Sequence, residues 1–306
     1  MKSNGIIKKV KDLKKKRRAL ILAHVYQGEK VQDIADFTGD SLALSKMAVN
    51  THAKVIVFCG VRFMAETAAI LNPDKVVLIP RKDAGCPLAE MARIEDLLIK
   101  KKQYSGVAVV SYVNSSASIK AASDICCTSS NAVEVVNSLR EDQVLFVPDK
   151  NLGRFVASKT KKKIILWDGF CYVHHHNIKP EEIKSMKIKH PRAEIMAHPE
   201  CQPEVIDLAD FVGSTSQMAE YVAKDQSEEF IVGTERGMLH TLQKENSNKR
   251  FYSPSPLVVC RDMKLTKLEN VSSALENMQF QIRIPDEVAI KAKKALHSML
   301  KLRKKN

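Results

Sequence analysis

The sequence predicts an α/β fold of three similar small domains, each a mainly parallel four-stranded sheet flanked by helices, in a pseudo-threefold arrangement around a central active site. Three observations predict it. Short apolar runs alternate with helix-like segments along the chain, the pattern of parallel sheets covered by helices. Cys86, Cys171 and Cys260 each stand just past an apolar run, at intervals of 85 and 89 residues, as one repeated unit delivering one thiolate per copy would place them. The polar residues behind other apolar runs keep a common register: His24 to Ser41, Tyr112 to Ser129 and His198 to Thr215 each span 17 residues.

Taken in order, the first copy has strand candidates at residues 19–23, near Phe37, at 55–58 and at 76–79. Between them, residues 42–52 and 62–71 have helical periodicity, with Phe63, Ala65, Ala69 and Ile70 on the second and Pro73 as its stop. The second copy offers strands at 107–110, 125–127, 144–147 and 164–167, and the third at 194–197, 211–213, 230–232 and 257–259. The copies are expected to form domains over 1–103, 104–190 and 191–306. From about Lys267 the tail reads as helix, with Leu296, Met299 and Leu302 on one side, packing against the outside.

A chain of 306 residues with 44% hydrophobic content builds a substantial core. No segment reads as a secretory signal and no run is long enough to span a bilayer, so the expected location is cytoplasmic, without membrane partners. In that compartment seven cysteines read as thiols or metal ligands rather than disulfides. The net charge of +14 includes basic runs at Lys8-Lys9, residues 14–18, 161–163 and 303–305. Such patches attract phosphate, but they are not interleaved with aromatics, and a solvated lysine-rich surface is the plainer reading. No nucleic-acid partner is expected.

Ligands of open α/β sheets bind beyond the carboxyl ends of the strands, so polar residues gathered there are site candidates. His24, Tyr26, Tyr112, Asn114, His198 and Glu200 can supply protons and hydrogen bonds to carboxylates. Ser41, Ser129 and Thr215 read equally as helix N-caps and as anion ligands. Three converging thiolates suit zinc or an iron–sulfur cluster, against the simpler reading of incidental buried thiols. Structural zinc usually draws on paired local knuckles, which this chain lacks. Three cysteines from separate loops suit a cubane whose fourth iron has no protein ligand. Cys59, Cys126, Cys127 and Cys201 fall outside the register and read as buried thiols, and His174-His175-His176 reads as a solvent-exposed loop.

The runs Ala23-His24-Val25-Tyr26-Gln27, Gly39-Asp40-Ser41-Leu42, Phe63-Met64-Ala65-Glu66-Thr67-Ala68, Ala84-Gly85-Cys86-Pro87, Tyr112-Val113-Asn114-Ser115-Ser116, Cys127-Thr128-Ser129-Ser130-Asn131, His198-Pro199-Glu200-Cys201 and Gly213-Ser214-Thr215 together resemble the quinolinate synthase family. The resemblance runs from about residue 19 to Cys260. It implies an enzyme of de novo NAD biosynthesis that condenses iminosuccinate (iminoaspartate) with dihydroxyacetone phosphate to give quinolinate, phosphate and water. It further implies a [4Fe-4S] cluster on Cys86, Cys171 and Cys260. His24, Ser41, Tyr112, Asn114, Ser129, His198, Glu200 and Thr215 would hold the dicarboxylate, with backbone contacts from Val113 and Pro199. Tyr26, Glu200 and His198 are the catalytic candidates, with protonated Glu200 or Tyr26 as the acid. Functional coupling to an L-aspartate-oxidising enzyme is also implied. Val25, where relatives often carry Tyr or Asn, is expected to change the pocket lining. The nearest alternative is another three-cysteine [4Fe-4S] enzyme of the diphthamide-synthesis type, which would lack these substrate-facing runs.

Overall fold

The computed structural model describes residues 3–302, so the basic run at 303–305 lies outside the described residues. Among these residues, twelve strands form three four-stranded sheets. The first contains β1 (Ala19–His24), β2 (Phe37–Gly39), β3 (Val55–Cys59) and β4 (Val76–Leu78). The second contains β5 (Ala108–Tyr112), β6 (Ile125–Cys127), β7 (Gln143–Val147) and β8 (Lys163–Leu166). The third contains β9 (Glu194–Ala197), β10 (Phe211–Val212), β11 (Glu229–Gly233) and β12 (Arg250–Tyr252). Each has the order second–first–third–fourth strand, and every pairing is parallel. Strands covered on both faces by helices are apolar throughout, as in β3, where all five residues are buried.

Eleven of the twelve strand candidates lie at or overlap observed strands; the twelfth needs correction. Residues 257–259 form no strand, and the fourth strand of the third sheet is β12, pairing Glu229 with Arg250. Pro254 and Pro256 remove ladder donors just before the expected segment, and Leu257 is 69% exposed. Only Val258 of that run is buried.

Two repeated polar devices fix each sheet. Asp36, Asp124 and Asp210 immediately precede the second strand of their sheets. Their carboxylates accept the amides of Ile21 (2.8 Å), Val109 (2.8 Å) and Ile195 (2.9 Å) in the first strand, and their own amides donate to the carbonyls of the same residues. Lys75, Lys162 and Lys249, spaced 87 residues apart, each direct Nζ to two carbonyls at or just past a helix C-terminus. A cation there satisfies orphan acceptors and meets the negative end of the helix dipole.

Buried polar side chains join the repeats in pairs. Glu66 accepts the amide of Ala117 (3.2 Å), joining first to second. Asn151 donates to the carbonyl of Glu200 (2.9 Å), joining second to third. Gln32 donates to the carbonyl of Gly237 (3.0 Å) and accepts the Thr241 hydroxyl (2.8 Å), joining first to third.

The terminal segments have structural work as well. Helix Ser3–Arg17 packs on helix Leu268–Asn277, and Arg17 donates to the carbonyls of Leu275 and Glu276 at its end. Part of the basic N-terminal run is thus a helix-end contact. Helix Asp286–Lys301 buries Ala292, Ala295, Leu296 and Met299 against Arg62–Leu71, Ala117–Ala121 and β6. The expected apolar side is therefore present, but it ties the first two repeats together and does not merely cover the outside. No helix among the described residues is long and apolar enough to cross a membrane.

Replacing Asp210 by Ala should lower the unfolding free energy by about 1 kcal/mol, the typical net worth of a hydrogen bond. Replacing Asp36, Asp124 and Asp210 together should cost about three times as much, because they lie in separate sheets. Denaturant midpoints of the three proteins, wild type included, check both figures.

Candidate active site

The carboxyl ends of the three sheets face one cavity. Its walls include His24, Tyr26 and Ser41 from the first repeat, Tyr112, Asn114 and Ser129 from the second, and His198, Glu200 and Thr215 from the third. Cys86, Cys171 and Cys260 line the same space. The structure therefore brings together all the expected side-chain residues. Val113 and Pro199 lie between lining residues without lining the cavity themselves, and the Val113 amide is already donated to the Cys127 carbonyl (2.9 Å). Val25, between lining residues His24 and Tyr26, is buried and does not itself line the cavity, so it makes no direct change to the pocket lining.

Local structure explains the exposure of the hydroxyls. Asp40, not Ser41, caps helix Ser41–Asn50, accepting the Ala43 amide at 2.8 Å. Ser214 similarly caps helix Thr215–Lys224 in a capping box with Gln217. Ser41 and Thr215 are thus the first helical residues, relieved of capping and set where backbone N–H groups favour anions.

His24 is fixed by its own turn. Its Nδ1 accepts the Tyr26 amide (3.2 Å), leaving the proton on Nε2. Burial, with His198 and Lys264 nearby, pushes its pKa down to about 3, so the ring is a neutral donor. His198 repeats the turn with the Glu200 amide (3.4 Å), and burial also lowers its pKa.

Glu200 Oε2 lies 3.1 Å from His174 Nδ1 and 3.2 Å from His198 Nδ1. Burial alone would raise its pKa, but these two imidazoles outweigh burial and hold the carboxyl below its ordinary range. The expectation of a protonated Glu200 acid is corrected: the group is poised as a carboxylate. Burial, then the Glu200 charge, raises Tyr26 well above the usual phenol range, so Tyr26 keeps its proton. Among the described residues, Glu200 Oε1, Asn114 Oδ1 and His174 Nδ1 are buried without a hydrogen-bond partner, and all three side chains line the cavity.

His174 is the main residue sequence reasoning missed. It is 1% exposed in the short helix Tyr172–His176, not in a solvent-exposed loop. The available signal was its position three residues beyond Cys171, which in a helix returns to the same face. Its Nε2 meets Thr234 Oγ1 at 2.9 Å, and Thr234 Oγ1 meets the Tyr26 hydroxyl at 2.6 Å. Asp149 and Glu235 were also missed. Asp149 accepts the Cys171 amide (3.0 Å), and Glu235 accepts the Cys260 amide (3.1 Å). Lys264 bridges Glu235 (2.9 Å) and the Tyr26 carbonyl.

All three wall cysteines are free and partly exposed, whereas Cys59, Cys126, Cys127 and Cys201 are buried, as expected of thiols outside the register. Burial raises each wall thiol's pKa, Cys260 to about 11; Cys260 adds to the rise at Cys86, and Cys260 and Cys86 add to it at Cys171. Thiolates that repel one another across a cavity fit a cationic metal group, which would ligate the ionised form. Cys171, His174 and Glu200 form a second possible grouping, with ligand atoms within 4.8 Å. The two sets meet at Cys171, and the residues accommodate a metal cluster on this wall.

The cavity encloses ≈ 60 Å³. A larger cleft of ≈ 700 Å³ opens outside it, between first and third repeats, with Lys30, Arg236, His240, Lys264 and Lys267 together with Glu29 and Glu269 on its walls.

Comparison with known proteins agrees along the chain. The family described as Quinolinate synthetase A protein matches residues 8–301. Quinolinate synthase 1 of Methanosarcina acetivorans is 52% identical over 305 residues, covering 100% of both chains. The quinolinate synthase of Methanoregula boonei is 54% identical, covering 95% of this chain and 96% of its own, and that of Geobacter metallireducens is 50% identical, covering 98% of each.

The His24 shift gives a signed pH effect. The unfolded chain protonates this ring near 6.5 and the folded protein only near 3, so between those values the unfolded state binds more protons. Stability should therefore fall as pH drops through that window, and His24→Asn should flatten part of the fall. Denaturation midpoints at about pH 7 and pH 5 for both proteins check it.

Proposed function

The chain belongs to the quinolinate synthase family, and from that premise we propose how its residues condense iminosuccinate with dihydroxyacetone phosphate to form quinolinate, phosphate and water. One observation carries the assignment of roles: side chains from the ends of all three sheets, with one cysteine from each repeat, meet in a single cavity.

Neutral His24, Tyr112 and Asn114, with Ser41, Ser129 and Thr215 at or just before helix starts, supply hydrogen-bond donors to two carboxylates. Glu200, as a carboxylate, removes a proton from substrate carbon or nitrogen through its free Oε1, which faces no protein donor. Tyr26, as a phenol, returns a proton to departing oxygen. His198 stands beside Glu200, with Nδ1 3.2 Å from Oε2. Val61, Phe63, Met64 and Met263 line the cavity and exclude water, which would otherwise hydrolyse the imine.

Cys86, Cys171 and Cys260 would hold a [4Fe-4S] cluster. With three protein ligands such a cluster keeps one iron open, and the chemistry it supplies when bound is Lewis-acid assistance to a leaving hydroxyl. The ≈ 60 Å³ of enclosed space is too small to pass two substrates, so we assign access to separation of the repeats. The basic residues of the outer cleft favour approach of anions. An L-aspartate-oxidising enzyme is the matching source of iminosuccinate.

Anaerobic assay of cluster-loaded protein with iminosuccinate and the triose phosphate should yield quinolinate; absence of product would overturn the reading. Cys86→Ala should abolish the brown absorbance while Cys59→Ala leaves it intact, and equal loss in both would undo the ligand set. Glu200→Gln should retain cluster and substrate binding but lose about 100-fold or more in turnover, the usual scale for general acid–base catalysis. Single-turnover product analysis and equilibrium binding separate those two effects.

A further inference from the structure

The outer cleft between the first and third repeats carries chemistry that the central cavity does not use. Lys30, Arg236 and Lys267 line it, and among the described residues none of the three is in an ion pair. His240 and Lys264 beside them are instead committed to Asp33 (3.0 Å) and Glu235 (2.9 Å). Helix Leu268–Asn277 starts on the same wall, and its cap is Lys267, whose ammonium cannot accept the first amides of the helix. Free cations beside an uncapped helix start favour an anion.

Two buried oxygens show that the wall is incomplete by itself. Gln27 is fully buried and Thr266 is 2% exposed, and both line the cleft. Yet Gln27 Oε1 and the Thr266 hydroxyl have no hydrogen-bond partner among the described residues. Buried polar atoms are almost always paired, so these two lack a partner that the chain does not supply. Gly28 adds an independent observation. It lines the cleft with φ −64° and ψ 147°, a backbone any residue adopts, and a Cβ there would meet nothing within 4 Å. Neither conformation nor packing requires a glycine, and its bareness keeps the cleft open beside Lys30.

We infer that the outer cleft is a binding site for a phosphate monoester, separate from the catalytic cavity. Lys30, Arg236, Lys267 and the start of helix Leu268–Asn277 supply the positive side that a phosphate needs. Gln27, Thr266 and the carboxylates of Glu29 and Glu269 accept hydroxyl or amino groups from the body of the ester. Two sources carry that chemistry, a nucleoside monophosphate and the triose phosphate substrate held outside the cavity. The volume of ≈ 700 Å³ favours the nucleotide. It lies in the usual range for small-molecule sites, about 300–1,000 Å³, and a triose phosphate would leave most of it empty.

The test is equilibrium dialysis of cluster-loaded full-length protein, kept anaerobic, with adenosine 5′-monophosphate and dihydroxyacetone phosphate as probes. The nucleotide should bind with Kd on the order of 10–100 μM, and adenosine or inorganic phosphate alone about 10-fold more weakly or worse. Lys267→Gln should weaken nucleotide binding about 10-fold, the loss of one hydrogen bond to a charged group. Gly28→Asp should weaken it at least as much by repulsion. The same aspartate is a better N-cap for helix Glu29–Ile34, so the thermal midpoint should stay at or above that of wild type. Those opposite signs distinguish a ligand site from a structural role. Nucleotide binding that the triose phosphate does not displace assigns the cleft to nucleotides. Displacement, or triose phosphate binding that Lys267→Gln weakens, assigns it to the substrate outside the cavity. Failure of both esters to bind more tightly than inorganic phosphate, or binding that neither variant weakens, would overturn the inference.

Discussion

The structure depends on one constraint: three parallel sheets send the polar ends of their strands into a shared interior. Backbone groups and side chains gathered there lose water and must find partners, or each costs on the order of 1–3 kcal/mol. No single repeat can supply those partners. They come across the seams, from Glu66 to Ala117, Asn151 to Glu200 and Gln32 to Gly237. Seam and site meet at Glu200, whose carbonyl accepts from Asn151 and whose side chain lines the cavity.

A common frame leaves room for each copy to carry different chemistry. The aspartate before each second strand and the lysine before each fourth strand occur three times, and they serve the frame. The exits of the third strands have diverged. Gly60-Val61, Pro148-Asp149 and Thr234-Glu235 occupy equivalent points, and only the latter two provide carboxylates that hold a neighbouring cysteine amide, at 3.0 and 3.1 Å. Cys86 is placed otherwise, as the residue before Pro87 at the start of a helix. Three thiols in similar register are thus held by unlike local means.

Burial drives the titratable groups of the cavity apart rather than in one direction. His24 is kept neutral and Tyr26 keeps its proton, while two imidazoles overcome burial at Glu200 and hold it ionised. Acid and base roles are then separated by surroundings rather than by residue type, a general route to opposed proton transfers in one site.

The sequence alone determined the repeat, the α/β class, the three wall cysteines and the nine lining residues named from strand exits. Those features are legible because strand periodicity is local and a repeated unit preserves register. It misplaced the last strand, because the prolines before residues 257–259 oppose pairing while polar Arg250 hides the true strand. His174, Thr234, Asp149 and Glu235 stood in or beside recognised runs, yet their work was invisible there. Their partners lie between 22 and 208 residues away, brought close only by packing. Tertiary structure also decided the charge of Glu200. A carboxyl's ionisation depends on the imidazoles beside it and on the water it has lost, and neither is written in the order of the chain.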